Sequence, residues 1–154
     1  MEIVIRHARQ DEVDALTNLA YISKAYWGYP KEYLEAWRDE LSVTPEIIAN
    51  SISLVAELNG KVAGFWCRSI VESKDSSHGL LFVHPRHIRK GVGRLLFDAL
   101  KKEAIKRGLK YFTFETDAYA AGFYIKMGAV QVGEKESTVI PGKMWPILQF
   151  RLDV

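Results

Sequence analysis

Apolar and polar positions recur along this chain with two periods, and the switches between them mark its elements. Ile3, Val4, Ile5 and Arg6 read as a first strand. Val13, Leu16, Leu19, Ala20 and Ser23 then recur at helical spacing, which predicts a helix capped by Asp11 and running to about Tyr26. Trp27-Gly28-Tyr29-Pro30 breaks that helix, and a second is expected over residues 31–41. Thr44-Pro45-Glu46 joins a capping hydroxyl, a proline suited to the first helical position and an acid, so a short helix should reach about Asn50.

The middle of the chain switches to β-branched and aromatic runs. Residues 52–58 and 61–71 flank Asn59-Gly60, the strongest short-range hairpin signal. A polar turn follows at 73–77 and a strand at 79–83. Pro85 has no N–H, so that strand must leave its neighbour near His84. Over residues 91–107, Val92, Leu95, Leu96, Ala99, Leu100 and Ala104 share one helical face, and Gly108 ends the helix. A strand at 111–115 and a short helix over 118–127, ended by Gly128, come next. Late strands are expected over 129–136 and 148–152, joined by Pro141-Gly142-Lys143-Met144-Trp145-Pro146. The succession indicates a mixed α/β sheet with helices on both faces, in a single domain over 1–154.

Composition narrows the function. Hydrophobic residues make up 48% and charged residues 26%, which is ordinary for a globular chain able to bury a core. Cys67 is the single cysteine, so an internal disulfide is excluded; its apolar neighbours point to a small core residue. No apolar run approaches the roughly 18 residues of a membrane span. The first six residues lack the regions of a signal peptide, so a cytoplasmic protein with no membrane partner is expected. Residues 74–111 carry ten basic side chains against three acids, whereas residues 23–57 carry three against six. That field suits a polyanionic cofactor on the first region and a cationic amine near the second. A nucleic-acid partner is not expected, because the basic residues lack interleaved aromatics. His7, His78 and His87 are not at metal-ligand spacing, so no metal is expected.

The chemistry concentrates after the strand at 79–83. Ile88-Arg89-Lys90-Gly91-Val92-Gly93-Arg94 is a basic, glycine-containing loop that opens a helix. Backbone N–H groups and the positive end of a helix dipole would converge there on an anion such as a pyrophosphate. Gly91 and Gly93 permit close approach, and Arg89, Lys90 and Arg94 add charge. By spacing alone, a tight loop with a solvated basic face explains the same residues.

The segment resembles the acyl-CoA pyrophosphate loop of the GNAT superfamily of N-acetyltransferases, whose pattern is Gln/Arg-x-x-Gly-x-Gly/Ala after a strand. Here Ile88 replaces the polar first residue. A second motif follows in Asp117-Ala118-Tyr119-Ala120-Ala121-Gly122-Phe123-Tyr124-Ile125-Lys126-Met127-Gly128-Ala129. The family form is Asn-x-x-Ala-x-x-Phe-Tyr-x-Lys-x-Gly-Phe. Ala120, Phe123, Tyr124, Lys126 and Gly128 match; Asp117 replaces Asn and Ala129 the aromatic. Residues 3–11 also resemble the family's opening strand and helix start, so the likeness covers nearly the whole chain.

The resemblance implies a mostly antiparallel central sheet whose middle strands splay in a V. Acetyl-CoA would lie in the gap, its pantetheine against Phe82 and Val83. The loop from Ile88 to Arg94 would hold its pyrophosphate, and Asp117, Ala120, Phe123, Tyr124 and Lys126 would add contacts. It also implies Tyr124 as general acid for the departing sulfur. Glu115 and His84, each at a strand end, are the two candidate bases. A surface carboxylate and a turn histidine are the bland readings of those two.

The acceptor side is expected from the aromatics Trp27, Tyr29 and Tyr33, joined by Trp66 and Trp145; core packing explains any one of them equally well. The expected reaction is acetyl transfer from acetyl-CoA to a primary amine of a small molecule, by direct attack in a ternary complex. A protein lysine or N-terminal amine is the alternative acceptor, and an inactive CoA-binding regulatory domain the alternative function. The apolar run Ile147-Leu148-Gln149-Phe150-Arg151-Leu152 would either support a homodimer or complete the sheet of one chain.

Overall fold

The computed structural model describes residues 2–68 and 80–152. The expected polar turn at 73–77, the strand tail at 69–71, and Gly79 and His78 lie outside the described residues. Strands β1 (Ile3–His7), β2 (Ile52–Leu58), β3 (Lys61–Arg68) and β4 (Leu80–Val83) form one antiparallel sheet in that order. Strands β5 (Tyr111–Glu115), β6 (Val130–Glu136) and β7 (Met144–Arg151) form a second, with β7 in the middle. Among the described residues no ladder joins β4 to β5. The middle strands are thus fully splayed, and a cleft opens between the sheets.

Side-chain alternation on β2 and β3 explains the layers. Leu54, Ala56 and Trp66 face one core, with Leu96, Leu100 and Ala104 of α5 (Val92–Lys106). Val55, Phe65 and Cys67 face another. That second core is closed by α1 (Val13–Ala25), α2 (Lys31–Ala36), α3 (Arg38–Leu41) and α4 (Pro45–Asn50), through Leu16, Leu34, Leu41 and Ile48. The first core continues across the splay to Phe112, Phe114, Leu148 and Phe150, and to Tyr124 of α6 (Ala118–Lys126). Each fully buried Leu or Phe contributes roughly 1.5–3 kcal/mol through apolar burial.

Several local signals hold. Asn59 and Gly60 both take positive φ, 55° and 77°, as a two-residue hairpin of this hand requires. Thr44 Oγ1 accepts the Ile47 N–H at 3.1 Å and caps α4. His84 N–H still donates to Ala63 O at 2.8 Å, and Pro85 then turns the chain away.

Other expectations are corrected. Asp11 caps nothing; the chain enters α1 through a 3-10 turn, Gln10–Glu12. Glu12 ties that turn down instead, accepting the Arg9 N–H at 2.8 Å and two hydrogen bonds from Arg6. The helix expected over 31–41 is divided at Trp37, whose φ of −87° and ψ of 2° leave helical geometry while its ring is buried in the second core. The segment expected to join the last strands is partly strand, because Trp145 and Pro146 already pair with Lys135 and Glu134. Since β7 is hydrogen-bonded on both sides, by β5 and β6, it completes the sheet and offers no edge to a second chain.

Candidate active site

The cleft between β4 and β5 has a volume of about 610 Å³. One end is the loop before α5. Ile88, Arg89, Gly91, Gly93 and Arg94 line it, with Lys126 across the gap. Arg89 (φ 66°) and Gly91 (φ 87°) both take the left-handed conformation, which curls the backbone into the first turn of α5. The amides of that turn have no acceptor within the helix. A Cβ on Gly91 would meet nothing within 4 Å, so open space lies where a ligand would approach the backbone. His87 also lines this end, and its Nδ1 is buried with no hydrogen-bond partner among the described residues. Burial first, then the charges of Lys90, His84 and Arg86, hold His87 below its ordinary pKa. These features fit a pyrophosphate: a curled basic backbone, open space and an orphaned ring nitrogen.

The middle of the cleft is apolar. Leu81, Phe82 and Val83 of β4 face Phe114 of β5 and Phe123 and Tyr124 of α6. Tyr124 is the seventh residue of α6, beyond its midpoint. Its ring is buried and packs edge-on against Phe114 at 4.8 Å. Glu115 closes β5, lines the cleft and pairs with Lys135 Nζ at 3.1 Å.

The far end is built around a buried ion pair. Lys24, in the last turn of α1, places Nζ 2.6 Å from Asp117 Oδ2, and each side chain is 10% exposed. Tyr29 Oη donates to the same oxygen at 2.7 Å, and Lys143 Nζ donates to Tyr29 Oη at 3.2 Å. Asp117 Oδ1 accepts the Tyr119 N–H at 2.9 Å and caps α6. Three rings surround the Lys24 ammonium: Trp145 at 4.5 Å, Trp37 at 4.8 Å and Tyr29 at 5.3 Å. Burial opposes ionisation of Asp117, but the charge and hydrogen bond of Lys24, with those of Tyr29 and the Tyr119 N–H, outweigh it and hold its pKa low. Burial dominates at Lys24 and lowers its pKa despite the partner. At the rim, Trp27 and Tyr119 stack with rings 5.2 Å apart and nearly parallel, at 4°.

The structure brings most expected site residues together. Phe82, Val83, Ile88, Arg89, Gly91, Gly93, Arg94, Glu115, Asp117, Ala120, Phe123, Tyr124, Lys126, Trp27, Trp66 and Trp145 all line the cleft. Five do not. His84 uses Nδ1 to accept the Arg86 N–H at 3.1 Å, a turn contact outside the cleft. Lys90 is exposed beyond it, and Val92, the first residue of α5, turns its side chain into the core, so only its amide faces the loop. Tyr29 stands behind the wall on Asp117, and Tyr33 packs on Trp37 at 5.6 Å. The aromatic cluster expected to receive a cation therefore already receives Lys24.

Lys24, Tyr119, His87 and Glu40 line the cleft without having been anticipated. Lys24 bonds a residue 93 positions away, a relation that no local pattern reveals. One signal was present: the family motif carries Asn where this chain has Asp117, and Lys24 is the cation that accounts for the charge.

The acetyltransferase (GNAT) family model matches residues 11–129. The chain is 27% identical over 151 residues to the peptidyl-lysine N-acetyltransferase YiaC of Escherichia coli K12, covering 95% of this chain and 99% of that protein. A GCN5-related N-acetyltransferase structure from Rhodopseudomonas palustris is similar, with a TM-score of 0.81 and 24% identity, covering 99% of this chain and 97% of that one. So is the PaiA N-acetyltransferase of Thermoplasma acidophilum in complex with coenzyme A, with a TM-score of 0.76 and 19% identity over 98% and 99% of the two chains.

Proposed function

Since the chain belongs to the acetyltransferase (GNAT) family and is an acetyl-CoA-dependent N-acetyltransferase, we propose that it acetylates a primary amine of a small molecule by direct attack in a ternary complex. The observation that carries this reading is one cleft with the basic, glycine-containing loop at one end and Tyr124 on its inner wall. Acetyl-CoA supplies an activated carbonyl and a thiolate leaving group. The amides at the start of α5, with Arg89 and Arg94, hold its pyrophosphate. Backbone N–H groups of β4 near Val83, left without a β5 partner by the splay, orient the pantetheine. Tyr124 Oη donates a proton to the leaving sulfur. Glu115 takes the proton that the amine releases. The aromatic rings of Trp27, Trp37 and Trp145 wall the acceptor end around the Lys24–Asp117 pair and support a compact amine.

A second acceptor, the side chain of a peptide lysine, is favoured by the YiaC likeness, which extends over 99% of that protein. Thiol release from acetyl-CoA, measured with small amines and with lysine-containing peptides, decides between them. Turnover confined to peptides overturns the small-molecule reading. No turnover with any amine, despite CoA binding, would identify a binding domain instead.

A further inference from the structure

The Lys24–Asp117 pair lies outside both cofactor motifs on its lysine side, yet it controls where the second motif begins. Asp117 Oδ1 caps α6 through the Tyr119 N–H, and Oδ2 accepts from Lys24 at 2.6 Å and from Tyr29 at 2.7 Å. A carboxylate with only its capping bond can rotate; three donors on two oxygens leave it one orientation. Lys24 is itself immobilised, its ammonium held against the Trp145 and Trp37 rings and its side chain 10% exposed. The cap thus has a rigid anchor in α1, across the cleft from the cofactor loop. An α-helix transmits the direction set at its first turn, rising about 1.5 Å per residue. Tyr124 lies two turns on, on the same short helix.

We propose that Lys24 is a positioning residue for acetyl transfer: by holding Asp117, it sets the direction of α6 and hence the place of the Tyr124 hydroxyl relative to the acceptor wall. The proposal rests on Tyr124 acting as the acid. Lys24 lines the cleft wall, and its part in the transfer runs through Asp117 and α6. This role explains why a charged group is buried in a wall that aromatic residues alone could fill. Removing only the lysine strands a buried carboxylate, so loss of stability is expected and decides nothing. Changing both members removes the stranded charge, and the amide introduced at 117 still caps a helix.

The experiment compares Lys24→Met, Asp117→Asn and the double variant in the full chain. Amide hydrogen exchange is measured with CoA present, alongside thiol-release kinetics on whichever small amine or lysine peptide the wild type turns over. Exchange at the Tyr119 amide should rise tenfold or more in Lys24→Met, while the β2–β3 ladder stays protected. The double variant should regain the wild-type melting temperature. Its kcat should nevertheless remain about tenfold down, with KM for acetyl-CoA within twofold. A double variant that regains both stability and kcat overturns the proposal. So does unchanged Tyr119 exchange in Lys24→Met, and that measurement needs no turnover. Wild-type protein inert toward every amine would sink the catalytic reading separately, leaving the exchange result to decide the positioning.

Discussion

Gly93 in the first turn of α5 lies directly against Phe123 of α6: a Cβ at Gly93 would sit 3.3 Å from Phe123 Cζ and 3.7 Å from Val83 Cγ2. The two sequence motifs are therefore one packed unit, and the missing side chain lets the first turn of α5, α6 and β4 meet. Gly91, two residues earlier, is different, since open space surrounds its would-be Cβ.

The contrast yields a paired test. Gly91→Val should fold, at a cost of about 1–2 kcal/mol for a left-handed β-branched residue. Its side chain then occupies the approach to the backbone, so CoA affinity should fall tenfold or more. Gly93→Val should instead displace Phe123 and lower both affinity and melting temperature. Calorimetric CoA titration with thermal unfolding on each variant checks this. Unchanged affinity in folded Gly91→Val would remove the loop as the pyrophosphate site.

Much of the architecture was legible because it is encoded locally. Asn59-Gly60 and Thr44-Pro45 each act within a few residues and appear where the pattern placed them, whereas the buried face of α5 is turned slightly, with Phe97 inside and Leu95 exposed. The loop end of the cleft was legible for the same reason, since loop and helix are contiguous in sequence. The far end was not. Tyr29, Lys24, Asp117 and Lys143 come from four separate segments, and their hydrogen bonds span 88 to 114 residues. The pattern leaves an apolar pocket, a cation site and core packing all open for the aromatic cluster, because it cannot show that α1 delivers Lys24 to those rings. Asp11 failed as a cap because Glu12, one residue on, could bond both Arg9 and Arg6.

Gly64 offers a test of how the sheet supports the cleft. A Cβ there would lie 2.9 Å from Phe82 O and 2.9 Å from Val92 Cγ1. Gly64→Ala must push β4 or α5 away, and overpacking of this kind costs about 1–3 kcal/mol. Because Phe82 and the start of α5 both border the cleft, CoA affinity should fall along with the denaturant midpoint. Full stability in Gly64→Ala would show that β4 shifts freely and is not a fixed wall.

The ion pair predicts an acid-side dependence. Asp117 is held below the ordinary 3.8 in the folded chain and returns to an ordinary value on unfolding. The folded state therefore binds fewer protons at that group. Its stabilisation is present above about pH 4 and is lost as pH falls through the depressed folded value. Asp117→Asn leaves Lys24 buried without its carboxylate, at a cost of roughly 3 kcal/mol at neutral pH. The gap between wild type and variant should close progressively as pH falls below 4. Melting temperatures across pH 2–7 on both proteins measure it, and a gap of constant size would mean that the carboxylate charge contributes nothing.

The last test concerns Tyr124. Four rings pack around it: Phe114 at 4.8 Å, Phe123 at 5.1 Å, Phe97 at 5.7 Å and Trp66 at 6.3 Å. A phenylalanine keeps every one of these contacts, so Tyr124→Phe removes one oxygen and little packing. Melting temperature and CoA affinity should stay near wild type. In the proposed role the phenol O–H donates to a developing thiolate, which a phenyl ring cannot do. Loss of positioned general-acid help lowers turnover by about 10² or more. Steady-state kinetics at saturating acetyl-CoA, with binding measured on the same preparation, separates the two effects. If turnover instead falls only in step with melting temperature, the hydroxyl is a structural group. The thiolate then leaves without an acid, and Tyr124 belongs wholly to the core whose rings surround it.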